Sequence, residues 1–233
     1  MSAVAENLRW LNEKIQEAAV RAGQAPEKIT LVAVSKTMPV ESIEQAQQAG
    51  QIDFGENRMQ EAKQKIPGAR GSMRWHFIGH LQRNKARDAV ELFDLIQSVD
   101  SLKLAEEIDR QARRIDKVQD ILVQVNTTGE YQKSGCAVED VEQLCRRITE
   151  LKSVRLQGLM TIGPFVDDRE RIREAFRTLK SIFNRLGGTE WGRERMRYLS
   201  MGMSGDFELA LEEGANMLRI GTAVFGPRPQ RPL

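Results

Sequence analysis

A chain of 233 residues has room for one sizeable core, and 40% hydrophobic with 29% charged residues is the balance of an ordinary soluble globular protein. Thirty-five basic and 33 acidic residues are scattered along it, leaving a net charge of +2 and no basic stripe that would follow a nucleic acid backbone. No apolar run approaches the ~20 residues that cross a bilayer, so a membrane-spanning segment is excluded as well.

The opening segment MSAVAENLRWLNEKIQEAAVRAG carries Glu6, Asn7 and Arg9 where a secretory signal needs a continuous apolar core. Its apolar residues fall at helical spacing, which predicts an amphipathic helix ahead of the main fold. Eight short apolar runs follow, at 29–34, 52–54, 74–78, 95–99, 121–125, 156–162, 198–201 and 217–220. Each of the first seven leads into a segment of helical period, such as 40–49 or 138–151. ITLVAV and ILVQV are apolar at nearly every position, as parallel strands buried on both faces require. Eight β/α units without the G-x-G-x-x-G turn of a dinucleotide-binding fold predict an α/β protein, a single (β/α)8 TIM barrel with an extra N-terminal helix. An open doubly wound sheet is the competing reading. Before the seventh run, GGTEWGRERMR is expected to be a loop or frayed helix end, with Trp191 packed on the outside of the barrel. We place the domain at 1–226 and an extended tail at 227–233, where GPRPQRPL has three prolines in eight residues. Cys136 and Cys145 form neither a C-x-x-C pair nor a disulfide framework, which points to the reducing cytoplasm.

In a barrel of this kind the strand C-termini and the loops after them form the active face. That filter selects Ser35-Lys36-Thr37, Gly55-Glu56-Asn57, His76 to His80, Asn126, Thr161, Gly202 to Gly205 and Gly221-Thr222. Strand alternation puts Lys36 on the side of Val32 and Val34, where desolvation lowers an amine's pKa and makes it a better nucleophile toward a carbonyl. The plain alternative is a lysine that extends into water and does nothing. After the seventh and eighth strands, MGMSGD and RIGTAVFG offer backbone amides and hydroxyls at helix starts, the usual phosphate-binding corner of a barrel. Taken alone, Ser204 or Asp206 would simply cap the helix FELALEEGA, and Gly221-Thr222 would be a tight turn. Together with Lys36 across the closing seam, Ser204, Gly205, Gly221 and Thr222 suggest pyridoxal 5′-phosphate (PLP) on a lysine Schiff base.

Arg219 lies inside the apolar run MLRIG and needs an acceptor if it points inward. It either forms a salt bridge to a barrel carboxylate or donates to the pyridine nitrogen of PLP, which would keep that nitrogen unprotonated and disfavour transamination. Asn57 is either a helix N-cap or a polar contact to the cofactor. His76 and His80 have no third ligand at a recognisable spacing, so no metal site is expected. Lys133 is a second candidate amine near the mouth, or a solvated loop lysine.

The motifs AVSKT, FGEN, WHFIGHLQRNK, KSG, GLMTI and LSMGMSGDFELALEEGANMLRIGTAVFG resemble those of the pyridoxal phosphate homeostasis proteins, the YggS-like family, nearly end to end. The resemblance implies a barrel similar to the N-terminal domain of bacterial alanine racemase, with PLP as an internal aldimine and a role in vitamin B6 balance. It puts the SKT lysine at Lys36, the phosphate site at Ser204, Gly205, Gly221 and Thr222, and the ring-nitrogen arginine at Arg219. Asn57 and Met201 would line the ring. Met38 stands where the common form SKTKP has a second lysine, and the KSG lysine is Lys133.

Three functions compete. The first is a non-enzymatic PLP-binding homeostasis or carrier protein in the cytoplasm, a monomer whose partners are PLP and PLP-accepting apoenzymes. The second is a small PLP-dependent amino-acid racemase or related enzyme, which would need a substrate site and a base on the exposed ring face; Tyr131 is the tyrosine nearest the mouth. The third, a sugar-phosphate enzyme using Lys36 as its Schiff-base lysine, leaves Arg219 unexplained.

Overall fold

The computed structural model describes residues 2–130 and 134–227, so Tyr131, Lys133 and the tail from 228 lie outside the described residues. Helix α1 (Ala3–Arg21) starts on Ser2, whose hydroxyl accepts from the amide of Ala5 at 3.3 Å. Val4, Leu8, Leu11, Ile15 and Ala18 recur on one face of it and are buried, as the helical spacing predicts.

Eight parallel strands then close into a barrel in chain order: β1 (Thr30–Val34), β2 (Asp53–Glu56), β3 (Arg74–Phe77), β4 (Leu95–Val99), β5 (Gln119–Gln124), β6 (Val154–Met160), β7 (Tyr198–Ser200) and β8 (Met217–Ile220). The seam is closed by β8 on β1, with Thr30 beside Met217 and Ala33 beside Ile220. Between the strands run α2 (Val40–Gln48), α3 (Met59–Lys65), α4 (Ala86–Leu92), α5 (Leu102–Arg114), α6 (Val141–Ile148), α7 (Arg169–Gly187) and α8 (Phe207–Glu212); α9 (Thr222–Phe225) follows β8. The closed barrel decides against the open sheet.

Strand alternation divides the core in two. Val32, Leu95, Leu122, Met160 and Met217 point inward and pack together inside the barrel. Their neighbours Ala33, Ile96, Ile121, Leu159 and Leu218 point outward into the larger layer beneath the helices. Helix α1 packs over α8 and α9, where Asn7 Nδ2 donates to the carbonyl of Val224 at 3.0 Å and Gln24 Nε2 to that of Leu211 at 2.6 Å. Trp191 is half-buried against this outer layer.

β6 begins and ends two residues ahead of the run at 156–162, and two other strands are extended where a polar side chain is satisfied locally. β5 starts at Gln119, two residues before its apolar run, because the buried amide of Gln119 donates to the carbonyls of Asp94 and Asp120. β2 reaches Glu56 for the same reason, since Asp53 and Glu56 are buried with partners. The helix expected at 138–151 is α6 alone, preceded by a tighter 3-10 turn at Val138–Asp140. Among the described residues no helix is long and apolar enough to cross a membrane.

Candidate functional site

A cavity of about 740 Å³ opens at the C-terminal ends of the strands, and Val34, Lys36, Asn57, Ser204, Arg219 and Gly221 are among its lining. Its size is within the usual range for a small-molecule site. Lys36 is half-buried in the turn after β1, on the cavity side as alternation predicts. The next residue, Thr37, has φ 65°, a left-handed backbone that is costly for a β-branched side chain. A charged network beneath holds it there. Glu61 Oε2 accepts from the Thr37 amide at 2.8 Å, and Lys65 Nζ donates to Glu61 Oε2 at 3.3 Å, Glu56 Oε1 at 2.9 Å and the Ser35 carbonyl at 2.9 Å. Ser35 Oγ donates to the same Glu56 oxygen at 2.8 Å. Burial pushes the Glu56 carboxyl up against the opposing pull of Lys65 and Ser35. At Glu61 burial also works against the charge, but the Thr37 amide and Lys65 hold its carboxyl below the ordinary value. Lys65 was not visible as a site residue in the sequence, where a Glu-Lys pair four apart reads as a solvated helix face.

Across the seam, Gly202 turns the chain out of β7 with φ 95°, and a Cβ there would lie 2.6 Å from the Cβ of Ala210. Asp206 occupies the N-cap position of α8, but its side chain turns back to accept from the Met203 amide at 2.5 Å rather than capping the helix. Gly221 precedes α9 against β1, where a Cβ would be 3.1 Å from the Val34 carbonyl. The amides of Ser204, Gly205, Gly221 and Thr222 donate to no other described residue. These four residues, Lys36 and Arg219 all line the one cavity.

Arg219 points into the barrel with 4% of its surface exposed. Its NH1 donates to Ser200 Oγ at 2.5 Å and its NH2 to the Thr161 carbonyl at 2.7 Å. Burial pushes its pKa down to about 10, against the opposing charge of Asp206, so the guanidinium stays charged at neutral pH. No carboxylate of a described residue pairs with it directly.

Asn57 lines the cavity ahead of α3, whose N-cap position falls on Arg58, and Asn57 Oδ1 is buried with no partner among the described residues. Gly79 lies against it, since a Cβ at 79 would sit 2.1 Å from the Asn57 carbonyl. Met201 is not brought to the cavity. With Ser200 facing inward, alternation turns Met201 into the outer core, and Met203 lines the mouth instead. Met38 is buried and lines the cavity. Asn126, also on the lining, folds its side chain into a local turn with Thr128 and the Glu130 carbonyl. The two histidines diverge: His76 is buried between Asp53 and Gln97, while His80 lies on the rim, 3.4 Å from Ser134 Oγ. Among the described residues no three His, Cys, Asp or Glu side chains gather as metal ligands.

The fold and this mouth define a barrel of the alanine racemase N-terminal domain class, and the model of that family matches residues 1–229. A Pseudomonas aeruginosa pyridoxal phosphate homeostasis protein is 42% identical over 98% of this chain and 97% of its own length. PipY of Synechococcus elongatus, solved with PLP bound, superposes with a TM-score of 0.83 at 36% identity, covering 96% of this chain and all of PipY. The alanine racemase of Clostridium difficile shares the fold, with a TM-score of 0.74 at 16% identity over 97% of this chain and 58% of its own. The chain belongs to the pyridoxal phosphate homeostasis proteins.

Proposed function

We propose that this protein binds PLP at the barrel mouth, covalently through Lys36, and serves PLP homeostasis by holding and handing on the cofactor rather than by turning over amino acids. The observation that carries the reading is the convergence of a half-buried amine, two turns whose amides donate to no other described residue and a buried guanidinium on one cavity at the β8–β1 seam. Lys36 is the tether. The amides of Ser204, Gly205, Gly221 and Thr222, with the two hydroxyls, suit a phosphate. Asn57 Oδ1, buried without a partner among the described residues, suits a polar contact beside the ring.

When bound, PLP supplies an aldehyde that condenses with an amine and a pyridine ring that withdraws electrons. Arg219 donates hydrogen bonds without releasing its proton, so at the ring nitrogen it would leave that atom unprotonated and restrain the withdrawal. That restraint suits storage better than amino-acid chemistry. We further read the protein as a cytoplasmic monomer whose partners are PLP and the apoenzymes that receive it.

Borohydride reduction of the PLP-loaded protein followed by peptide mapping tests the tether. Label is expected on the peptide holding Lys36 and is lost in Lys36→Ala; label on another lysine of the unaltered protein overturns the assignment. Rapid stereospecific exchange of the α-hydrogen of an amino acid with solvent deuterium would overturn the non-enzymatic reading.

A further inference from the structure

A file of hydrogen bonds crosses the inside of the barrel beneath the cavity. At the N-terminal face Arg74 NH2 donates to Asp53 Oδ2 at 2.9 Å, and Asp53 Oδ1 lies 2.8 Å from His76 Nε2. His76 Nδ1 lies 2.9 Å from Gln97 Nε2. Gln97 Oε1 takes the Ser200 hydroxyl at 2.6 Å, and Ser200 Oγ takes Arg219 NH1 at 2.5 Å. From Asp53 to Arg219 the file takes one buried side chain from each of five strands, β2, β3, β4, β7 and β8, and the exposed Arg74 of β3 joins it at the Asp53 end.

With the Gln97 amide oriented as in the structure, donor and acceptor chemistry assigns the protons between Arg219 and Asp53. A guanidinium only donates and a carboxylate only accepts. Arg219 therefore donates to Ser200, whose single proton goes to Gln97 Oε1. Gln97 then offers its NH2 to His76, so His76 Nδ1 is bare and Nε2 carries the proton toward Asp53. Burial works against the charge of Asp53, but the bonds from His76 and Arg74 hold its carboxyl below the ordinary value. The bonds between Arg219 and Asp53 all point the same way, so each polarises the next, and Arg74 donates to Asp53 from the other side. Val32, Leu122 and Met160 fill the same interior with apolar side chains. A polar set of this length is costly to bury unless each member is satisfied, and here each member satisfies the next.

We propose that Asp53, His76, Gln97 and Ser200 are positioning residues that fix the guanidinium of Arg219 and, through it, the pyridine ring of bound PLP. The proposal rests on reading Arg219 as the partner of the ring nitrogen. Its working point is Ser200. With the hydroxyl proton committed to Gln97, a lone pair faces NH1; without Gln97 the hydroxyl turns freely, and NH1 loses a fixed acceptor. Thr161 then holds only the other nitrogen.

The test uses the full-length holoprotein loaded with PLP carrying 15N at the ring nitrogen, in the unaltered protein, Gln97→Met, Arg219→Leu and Leu122→Val. Arg219→Leu is expected to move the ring-nitrogen resonance toward that of unbonded pyridine. Gln97→Met is expected to move it part of the way in the same direction and to weaken PLP binding about tenfold, or about 1.4 kcal/mol. Leu122→Val trims the same interior layer without touching the file and is expected to leave the resonance in place. A Gln97→Met resonance that coincides with that of the unaltered protein, or a Leu122→Val shift as large as that of Gln97→Met, overturns the proposal alone. An unchanged resonance in Arg219→Leu overturns the reading of Arg219 and the proposal with it, whereas failure of the unaltered protein to take up PLP overturns the proposed function. The unaltered apoprotein gives a readout that needs no variant to fold: 15N spectra are expected to show His76 protonated at Nε2 and bare at Nδ1, and the opposite tautomer overturns the proposal.

Discussion

Thr37 is held in a conformation it would not choose, immediately after Lys36, by one carboxylate oxygen of Glu61. Glu61→Ala leaves the Thr37 amide and Lys65 short of an acceptor, and the loss is expected to cost about 1–3 kcal/mol in urea unfolding. Thr37→Gly in that background is expected to recover part of the loss, because glycine takes a positive φ without strain. No recovery would mean that the turn is not where Glu61 acts. Lys36 was legible in the sequence because it stands at the end of an apolar strand. Glu61 and Lys65 were not, because their value comes from what lies across the turn from α3, which periodicity does not encode. Gln97 and Ser200 are intermediate cases. Each is a polar residue at an inward position of an apolar strand, a signal that LIQSV and YLSM carry without showing which partner satisfies it.

The elements themselves were written plainly. All eight strands overlap the apolar runs; β5 and β2 are extended where Gln119 or Glu56 brings its own hydrogen-bond partners, and β6 lies two residues ahead of the run at 156–162. Helix α1 shows what its amphipathic face is for, since it covers the two helices that follow the phosphate-type turns. Leu11 on that face is fully buried. Leu11→Ala is expected to destabilise the protein by about 2–5 kcal/mol, read from the shift of the denaturation midpoint. PLP bound at the proposed seam site would stabilise only the folded form, so adding it in excess is expected to raise the midpoint of both proteins.

For the molecule as a whole, acid sensitivity follows from carboxylates held below their ordinary range. Folded Asp53 binds a proton less readily than the unfolded chain, so its contribution is fully present above the ordinary aspartate value of about 3.9 and is lost as pH falls through the lower folded value. Asp53→Asn is expected to show a shallower acid limb in circular-dichroism unfolding and little change in slope near neutrality. An unaltered acid limb would assign the acid sensitivity to other groups. The barrel's closure also governs when in a protein's life the site can exist. Lys36 lies on the first strand, whereas Arg219 and Gly221 come with the last, and the two ends meet only when β8 pairs with β1. At synthesis rates of about 5–20 residues per second, the amine leaves the ribosome on the order of ten seconds before its partners. On the proposed assignment, a nascent or truncated chain would carry the lysine without the turns proposed to hold the phosphate, and cofactor capture would report that translation has run to the final strand.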